Sequence, residues 1–244
     1  MPKRILLVLL CSFAMISKSS SQQEPNNTRI YKWLDDNTGQ MNSGLFNGLV
    51  YAEKHIMINE KHKFFGDFKF TKGTVVYNNE PYPNILIQYN VYQDQLLVRN
   101  SINTAEPIVL LYKEKVRRFT VSDHVFVNLT IDLEDDETIE GFFEYLLRRD
   151  SVSVIKKHQK KIRDRTNDRI RYHEFEDDSF YIVLLDSVYT RIREPKKLLR
   201  QFPEYKEIIK NIEEDYKDSN SSTNDNYIVA VFEAIAFQLE KGKE

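Results

Sequence analysis

Apolar and polar positions change rhythm twice along this chain: an unbroken apolar run opens it, a β-like middle follows, and a helical period closes it. From Gly44 to about Ile192 the middle divides into short runs rich in Val, Ile, Thr, Phe and Tyr, residues that suit a pleated, half-buried surface. Gly73–Tyr77, Asn84–Val91 and Gln95–Arg99 come first, then Ile108–Tyr112, Val116–Val121 and His124–Leu129. Phe142–Arg148 and Val152–Lys157 flank Arg149-Asp150-Ser151, and Asp178–Leu184 and Ser187–Ile192 form the last pair. Asn78–Pro83 has the composition of a turn, and Tyr92-Gln-Asp94 is a connection of hairpin length. Such short connections require antiparallel neighbours, because a parallel crossover takes about a dozen residues or more.

After Pro195 the period changes. Lys196–Arg200 starts a helical turn, and Pro203 sits where proline is tolerated, at a helix start. Glu204–Tyr216 then carries Ile208, Ile209 and Ile212 on one face. A polar break at Lys217–Asn226 precedes Ile228, Val231, Phe232, Ile235 and Leu239 at helical spacing, with Asn224–Asn226 as expected N-caps. The fold class that follows is α+β: mainly antiparallel sheet built of hairpins, residues 44–192, with amphipathic helices in 193–244 packing on it.

The opening run has the three parts of an export signal in order. Lys3 and Arg4 are the positive start, Ile5–Ile16 is apolar but for Ser12, and Ser17 and Ser19–Ser21 supply small residues for cleavage before Gln22. The run is too short to anchor the chain in a bilayer, which takes roughly 20 residues. Cys11 follows Leu10 rather than a small residue, so lipidation there is not expected. The domain plan is thus a signal peptide over 1–21, a flexible entry segment over 22–43 with an aromatic island at Tyr31, Trp33 and Leu34, then the sheet and the helices.

Composition sharpens this plan. Losing Lys3, Arg4 and Lys18 from 35 basic residues leaves 32 against 37 acidic, a net charge of −5, which argues against a nucleic-acid partner. The mature chain would hold no cysteine, excluding disulfides, thiol catalysis and thiolate metal sites. An exported chain of this size without cysteine fits a bacterial envelope better than a eukaryotic secretory pathway. The sequons at Asn26, Asn128 and Asn220 carry no meaning in that setting.

Chemistry-bearing patterns are sparse. His55, His62, His124, His158 and His173 are scattered without zincin spacing, and there is no GxSxG elbow, phosphate-cradling loop or dinucleotide fingerprint. Asp132–Glu137 is acidic but lacks the Gly and the terminal Glu of a calcium loop. The expectation is therefore no catalytic residue, no cofactor and no metal. Lys156–Arg171 stands out, with eight basic residues against Asp164 and Asp168, a local net of +6. A solvated loop between strands is the plain reading; contact with an anionic surface is the functional one. With no aromatic before Tyr172, bases would find no stacking platform there.

Asn47-Gly-Leu-Val-Tyr51, Gly73-Thr-Val-Val-Tyr77, Tyr82, Ile85–Asn90 and Asp94–Val98 resemble a pattern in exported proteins of Bacteroidota, and Lys196–Phe202 resembles the closing helix of that group. The resemblance spans most of residues 44–216 and departs at the polar break Lys217–Asn226. It implies an envelope protein without an assigned reaction, accessory to an outer-membrane β-barrel or TonB-dependent transport system. The reading that results is a non-enzymatic binding or accessory subunit in the periplasm or at the outer membrane, with an envelope protein as partner. A lipid- or glycan-binding protein with a concave apolar pocket is the alternative, and a hydrolase with a dispersed site is a further one.

Overall fold

The computed structural model describes residues 44–99, 107–134, 136–217 and 223–242. The stretches read from the sequence as an export signal (1–21) and a flexible entry segment (22–43) lie outside the described residues. Among the described residues there are thirteen strands: β1 (Leu49–Val50), β2 (Thr71–Tyr77), β3 (Glu80–Asn90), β4 (Gln95–Arg99), β5 (Val109–Leu110), β6 (Val116–Val121) and β7 (His124–Asp132), followed by β8 (Thr138–Arg148), β9 (Val152–Lys157), β10 (Lys160–Asn167), β11 (Ile170–Asp177), β12 (Phe180–Leu185) and β13 (Val188–Ile192). Helices α1 (Leu198–Gln201), α2 (Lys206–Lys217) and α3 (Asn224–Lys241) close the chain. Eleven strands form one antiparallel sheet in the order β1-β5-β4-β3-β2-β6-β7-β8-β9-β12-β13, and β10 pairs with β11 apart from it. The α+β architecture read from the sequence is what the chain adopts.

Two-residue turns set the registers. Asn78-Asn79, Asp168-Arg169 and Asp186-Ser187 all have positive φ at both positions, as hairpin turns matching the strand twist require. With few glycines, the chain gives the first of these positions to Asn or Asp, whose short side chains tolerate the left-handed region. The Asn78–Pro83 stretch is accordingly not one long turn: β3 resumes at Glu80, and Pro81 pairs with Val76. Both prolines lie in the part of β3 that β4 does not reach, so a missing N–H leaves no ladder partner unsatisfied.

The sheet is rolled. β3 and β8 are four strand steps apart, about 19 Å on a flat sheet at ~4.8 Å per step. Yet Tyr89 of β3 and Phe142 of β8 touch at 5.8 Å between ring centroids, and Tyr89 also meets Phe119 and Phe126 at 5.3 and 5.1 Å. The first core fills this roll, with Tyr77, Tyr89, Phe119, Phe126 and Phe142 all essentially without exposure. The link from β5 to β6 must pass β4, β3 and β2, and it does so across the end of the roll in a single short 3-10 turn, Lys113–Lys115.

Beyond β8 the sheet is buried on both faces, which explains the uninterrupted apolar run of β12. One face, with Val152, Val154, Tyr181, Val183 and Ile192, packs against Leu198, Phe202, Ile209 and the Ile228, Val231, Phe232, Ile235 side of α3. The other carries Phe143, Ile155, Phe180 and Ile182. Cationic side chains lie over its rings: Lys157 over Phe143 at 4.9 Å, and Arg191 and Arg193 over Phe180 at 5.4 and 5.1 Å.

The stretch expected as a loop between β9 and β12 is instead the hairpin β10–β11. Its strands are mostly charged and polar, with Lys160 opposite Asp177, Lys161 opposite Glu176 and Arg163 opposite Glu174, so a hydrophobic period has little to register. The cap of α3 is Thr223, one residue before the expected asparagines; its hydroxyl accepts from the Asn226 N–H. Thr223→Ala should lower the stability of the chain by about 1 kcal/mol and Thr223→Ser should leave it unchanged, read from urea midpoints.

Candidate functional site

Where the roll closes, three strands and a turn deliver charge into the protein. Asp94, at the end of the β3–β4 turn with φ 53°, reaches across to β8 and β9. Its Oδ2 meets Lys113 Nζ at 2.6 Å and Lys157 Nζ at 2.8 Å, while Oδ1 accepts from the Tyr89 hydroxyl at 2.7 Å. The Phe142 N–H points at the same carboxylate, and Lys157 also donates to the carbonyls of Glu140 and Phe142. Burial alone would raise the Asp94 pKa, but Lys157, Lys113 and Tyr89 outweigh it and hold the carboxyl below the usual range. Gly141 makes room: at φ 122° it has no Cβ, and one placed there would lie 1.9 Å from Asp94 Oδ2 and 2.5 Å from Lys157 Nζ. Asn128 holds the crossing link in place by donating to the carbonyls of Lys113 and Val116.

A second cluster sits on the neighbouring rows of β7, β8 and β9. Strand pairing places Phe126 opposite Glu144 and Glu144 opposite Lys156. The buried Glu144 carboxylate is shared between two imidazoles: His124 Nδ1 contacts Oε1 and His158 Nε2 contacts Oε2 at 2.5 Å. Burial pushes Glu144 up, but the two ring N–H groups outweigh it and keep the carboxyl below its ordinary range. Phe65 stands edge-on to both imidazoles, 4.9 Å from each ring centroid, and 5.1 Å from Phe126. Lys156 continues the row: its Nζ binds both oxygens of Asp225 at 2.7 and 2.8 Å, and Tyr181 donates to Asp225 at 2.5 Å. This ties the first turn of α3 to the sheet.

A third feature is the segment that enters the sheet. It lies along β11, with the His173 N–H on the Ile56 carbonyl and the Phe175 N–H on Lys61. Buried Lys63 pairs with Glu53 Oε1 at 2.6 Å and contacts His55 Nδ1 at 3.1 Å. Outward, the segment shows Leu49, Val50, Ile56, Ile58 and Phe68, each more than half exposed. A cleft of about 220 Å³ lined by Leu49, Val50, Tyr51, Lys63 and Leu110 adjoins it.

The histidines scattered in sequence thus form two pairs, His124 with His158 across Glu144, and His55 edge-on to His173 at 5.1 Å. His62 is buried and accepts from the Phe64 N–H. Among the described residues no three His, Cys, Asp or Glu side chains come together as a metal site. Of the acidic stretch 132–137, Asp132 ends β7 and accepts from the Thr138 hydroxyl, and Glu137, just before β8, pairs with Arg191. Seven of the eight cations of Lys156–Arg171 have partners: Lys156 has Asp225, Lys157 has Asp94, and Lys160 has the carbonyls of His62 and Phe64. On the hairpin, Lys161 faces Asp178, Arg163 faces Glu176, Arg165 faces Glu174, and Arg171 faces Asp164. The +6 counted along the sequence is therefore met from several directions: by Asp225 and Asp94, by backbone carbonyls, and by Glu174, Glu176 and Asp178 beside the hairpin.

Chemically, the Glu144 cluster binds and holds protons. Among the described residues the groups hydrogen-bonded to the Glu144 carboxylate are the two imidazoles. Sequence reasoning missed it because its members lie far apart along the chain; the strand registers of β7–β9 are the signal that joins them. No family model, no curated protein and no solved structure matches the chain.

Gly141→Ala should destabilise the chain by about 3 kcal/mol, since its Cβ would enter the Asp94–Lys157 contact at a positive φ. Chemical denaturation of wild type and variant reads this directly.

Proposed function

We propose that this chain is a non-catalytic binding subunit of the bacterial cell envelope that docks a partner protein on the segment leading into its sheet. The carrying observation is the concentration of exposed apolar side chains: Leu49, Val50, Ile56, Ile58 and Phe68 fall within one short stretch, whereas Val125, Ile170 and Phe237 are dispersed. Exposed apolar groups gathered in this way mark contact surfaces. Among the described residues β1 is also an outermost strand, bonded on one side to β5, and an added strand could pair with its other edge. The export signal and the resemblance to Bacteroidota envelope proteins support the location, and an outer-membrane barrel or transport complex is the expected partner.

The filled roll favours a surface over an enclosed ligand. A lipid or glycan on the curved face would need the space that Tyr89, Phe119, Phe126 and Phe142 occupy. The neutralised β10–β11 hairpin leaves an anionic-surface contact through Lys156–Arg171 as a secondary element of the proposal.

Mature chain used as bait on solubilised envelopes of the source bacterium should recover an outer-membrane protein. Val50→Asp and Ile58→Asp, both at exposed positions, should cut that recovery about tenfold or more while changing stability by less than ~0.5 kcal/mol. Recovery unaffected by either substitution would overturn the assignment of the surface.

A further inference from the structure

β9 with β10 and β11 with β12 are two arms of one long hairpin, Val152–Asn167 and Ile170–Leu185, broken at His158-Gln159 and Asp178-Ser179. Its inner half belongs to the main sheet and its outer half leaves it. The break stays bonded: the Asp178 N–H reaches the Gln159 carbonyl at 2.8 Å, and the Gln159 N–H reaches Ser179 Oγ at 3.2 Å. It is therefore a joint, and His158 is one of its residues.

Two sets of contacts hold the joint at its angle. Lys160, just beyond it, clamps the carbonyls of His62 and Phe64 at 2.6 and 2.8 Å. On the same stretch of chain Phe65 wedges between the His124 and His158 rings over the Glu144 carboxylate. The His62–Phe65 stretch and the outer hairpin are thus fastened at one spot, and the fastening includes a titratable ring.

We infer that His124, Glu144 and His158 form a proton-operated latch: while His158 is neutral it holds Phe65 and the hairpin joint against the sheet, and proton uptake releases both. The neutral ring fits a pocket made by Phe65, Phe126 and the Glu144 carboxylate. An imidazolium there would lose hydration beside Lys156, with Glu144 and Asp225 as the anions acting on it and Asp94, Glu137 and Glu140 farther along the adjoining cleft. Burial pushes the His158 pKa down first, Glu144 pulls it up, Lys156 pushes it down again and Asp225 pulls weakly up, leaving it below the ordinary 6.5. A cleft of about 360 Å³ borders His158, and a released, charged ring has that water to enter.

The sign follows from linkage. A histidine with a depressed pKa in the closed form takes its proton preferentially in the open form, so opening grows as pH falls below 6.5 and levels off below the depressed value. The slope in that window approaches tenfold per pH unit, roughly 1.4 kcal/mol. The latch does not depend on the identity of any partner.

Amide hydrogen exchange of the mature chain, at about pH 7.5 and about pH 5 and corrected for intrinsic rates, tests it. Protection over 61–70 and 160–177 should fall about tenfold or more at the lower pH while β2–β3 stays protected. His158→Gln keeps a donor for Glu144 but cannot titrate, and should exchange alike at both values. Should that variant not fold, an NMR titration of the wild-type His158 ring decides: a value below the ordinary imidazole range supports the latch. Unchanged wild-type protection, a pH response retained in His158→Gln, or an ordinary or raised ring pKa would overturn it.

Discussion

The rest of this structure depends on one buried carboxylate. Asp94 leaves a turn between β3 and β4 and is received by Lys113, Lys157, Tyr89 and the Phe142 N–H, groups from strands that would stand well apart on a flat sheet. A carboxylate taken out of water costs several kcal/mol, and only multiple charged and hydrogen-bonded partners offset that. The roll provides them, and in turn needs them to stay closed. Gly141 belongs to the same constraint, since any side chain would occupy the space where the charges meet. The aromatic core inside the roll, the link across its end, and the positions of β8 and β9 follow from that closure.

β8 and β9 position the second cluster. Glu144 faces inward two residues beyond Phe142, and His158 follows Lys157 directly, so the groups that close the roll also aim the groups that hold the hairpin joint. Sharing a carboxylate between two imidazoles under an aromatic wedge keeps buried charge small. It also makes the attachment of the stretch around Phe65 sensitive to protons. The proposed docking strip lies on that same segment, with its apolar side chains turned outward while Phe64 and Phe65 face in.

Much of the fold was legible because strands of a half-buried sheet print their burial as pattern. Val116–Val121 and Val152–Lys157 have the bounds expected of them, and the three-isoleucine face of α2 packs as its spacing requires. The β10–β11 hairpin was not legible, since both strands are charged and their order comes from Arg163–Glu176 and Arg165–Glu174 pairs across the ladder. Counting charge along the sequence gave a basic patch, but the fold brings Asp94, Asp225, Glu174 and Glu176 onto four of its cations. The prolines of β3 also misled: they mark turns in most contexts, but here they lie in the part of the strand that β4 does not reach. The histidine–glutamate cluster required register as well as strand position, and register is fixed by turns whose positive-φ residues are Asn, Asp, Arg and Ser rather than glycine.

The most direct test of this account is a double-mutant cycle between Asp94→Asn and Lys157→Met, followed by chemical denaturation. Closure of the roll by that pair requires a coupling of ~2–3 kcal/mol, with each single variant destabilised and the double variant far less so than their sum. Additivity within ~0.5 kcal/mol would contradict it, and would mean that the rolled sheet is held by its aromatic core without the buried charge.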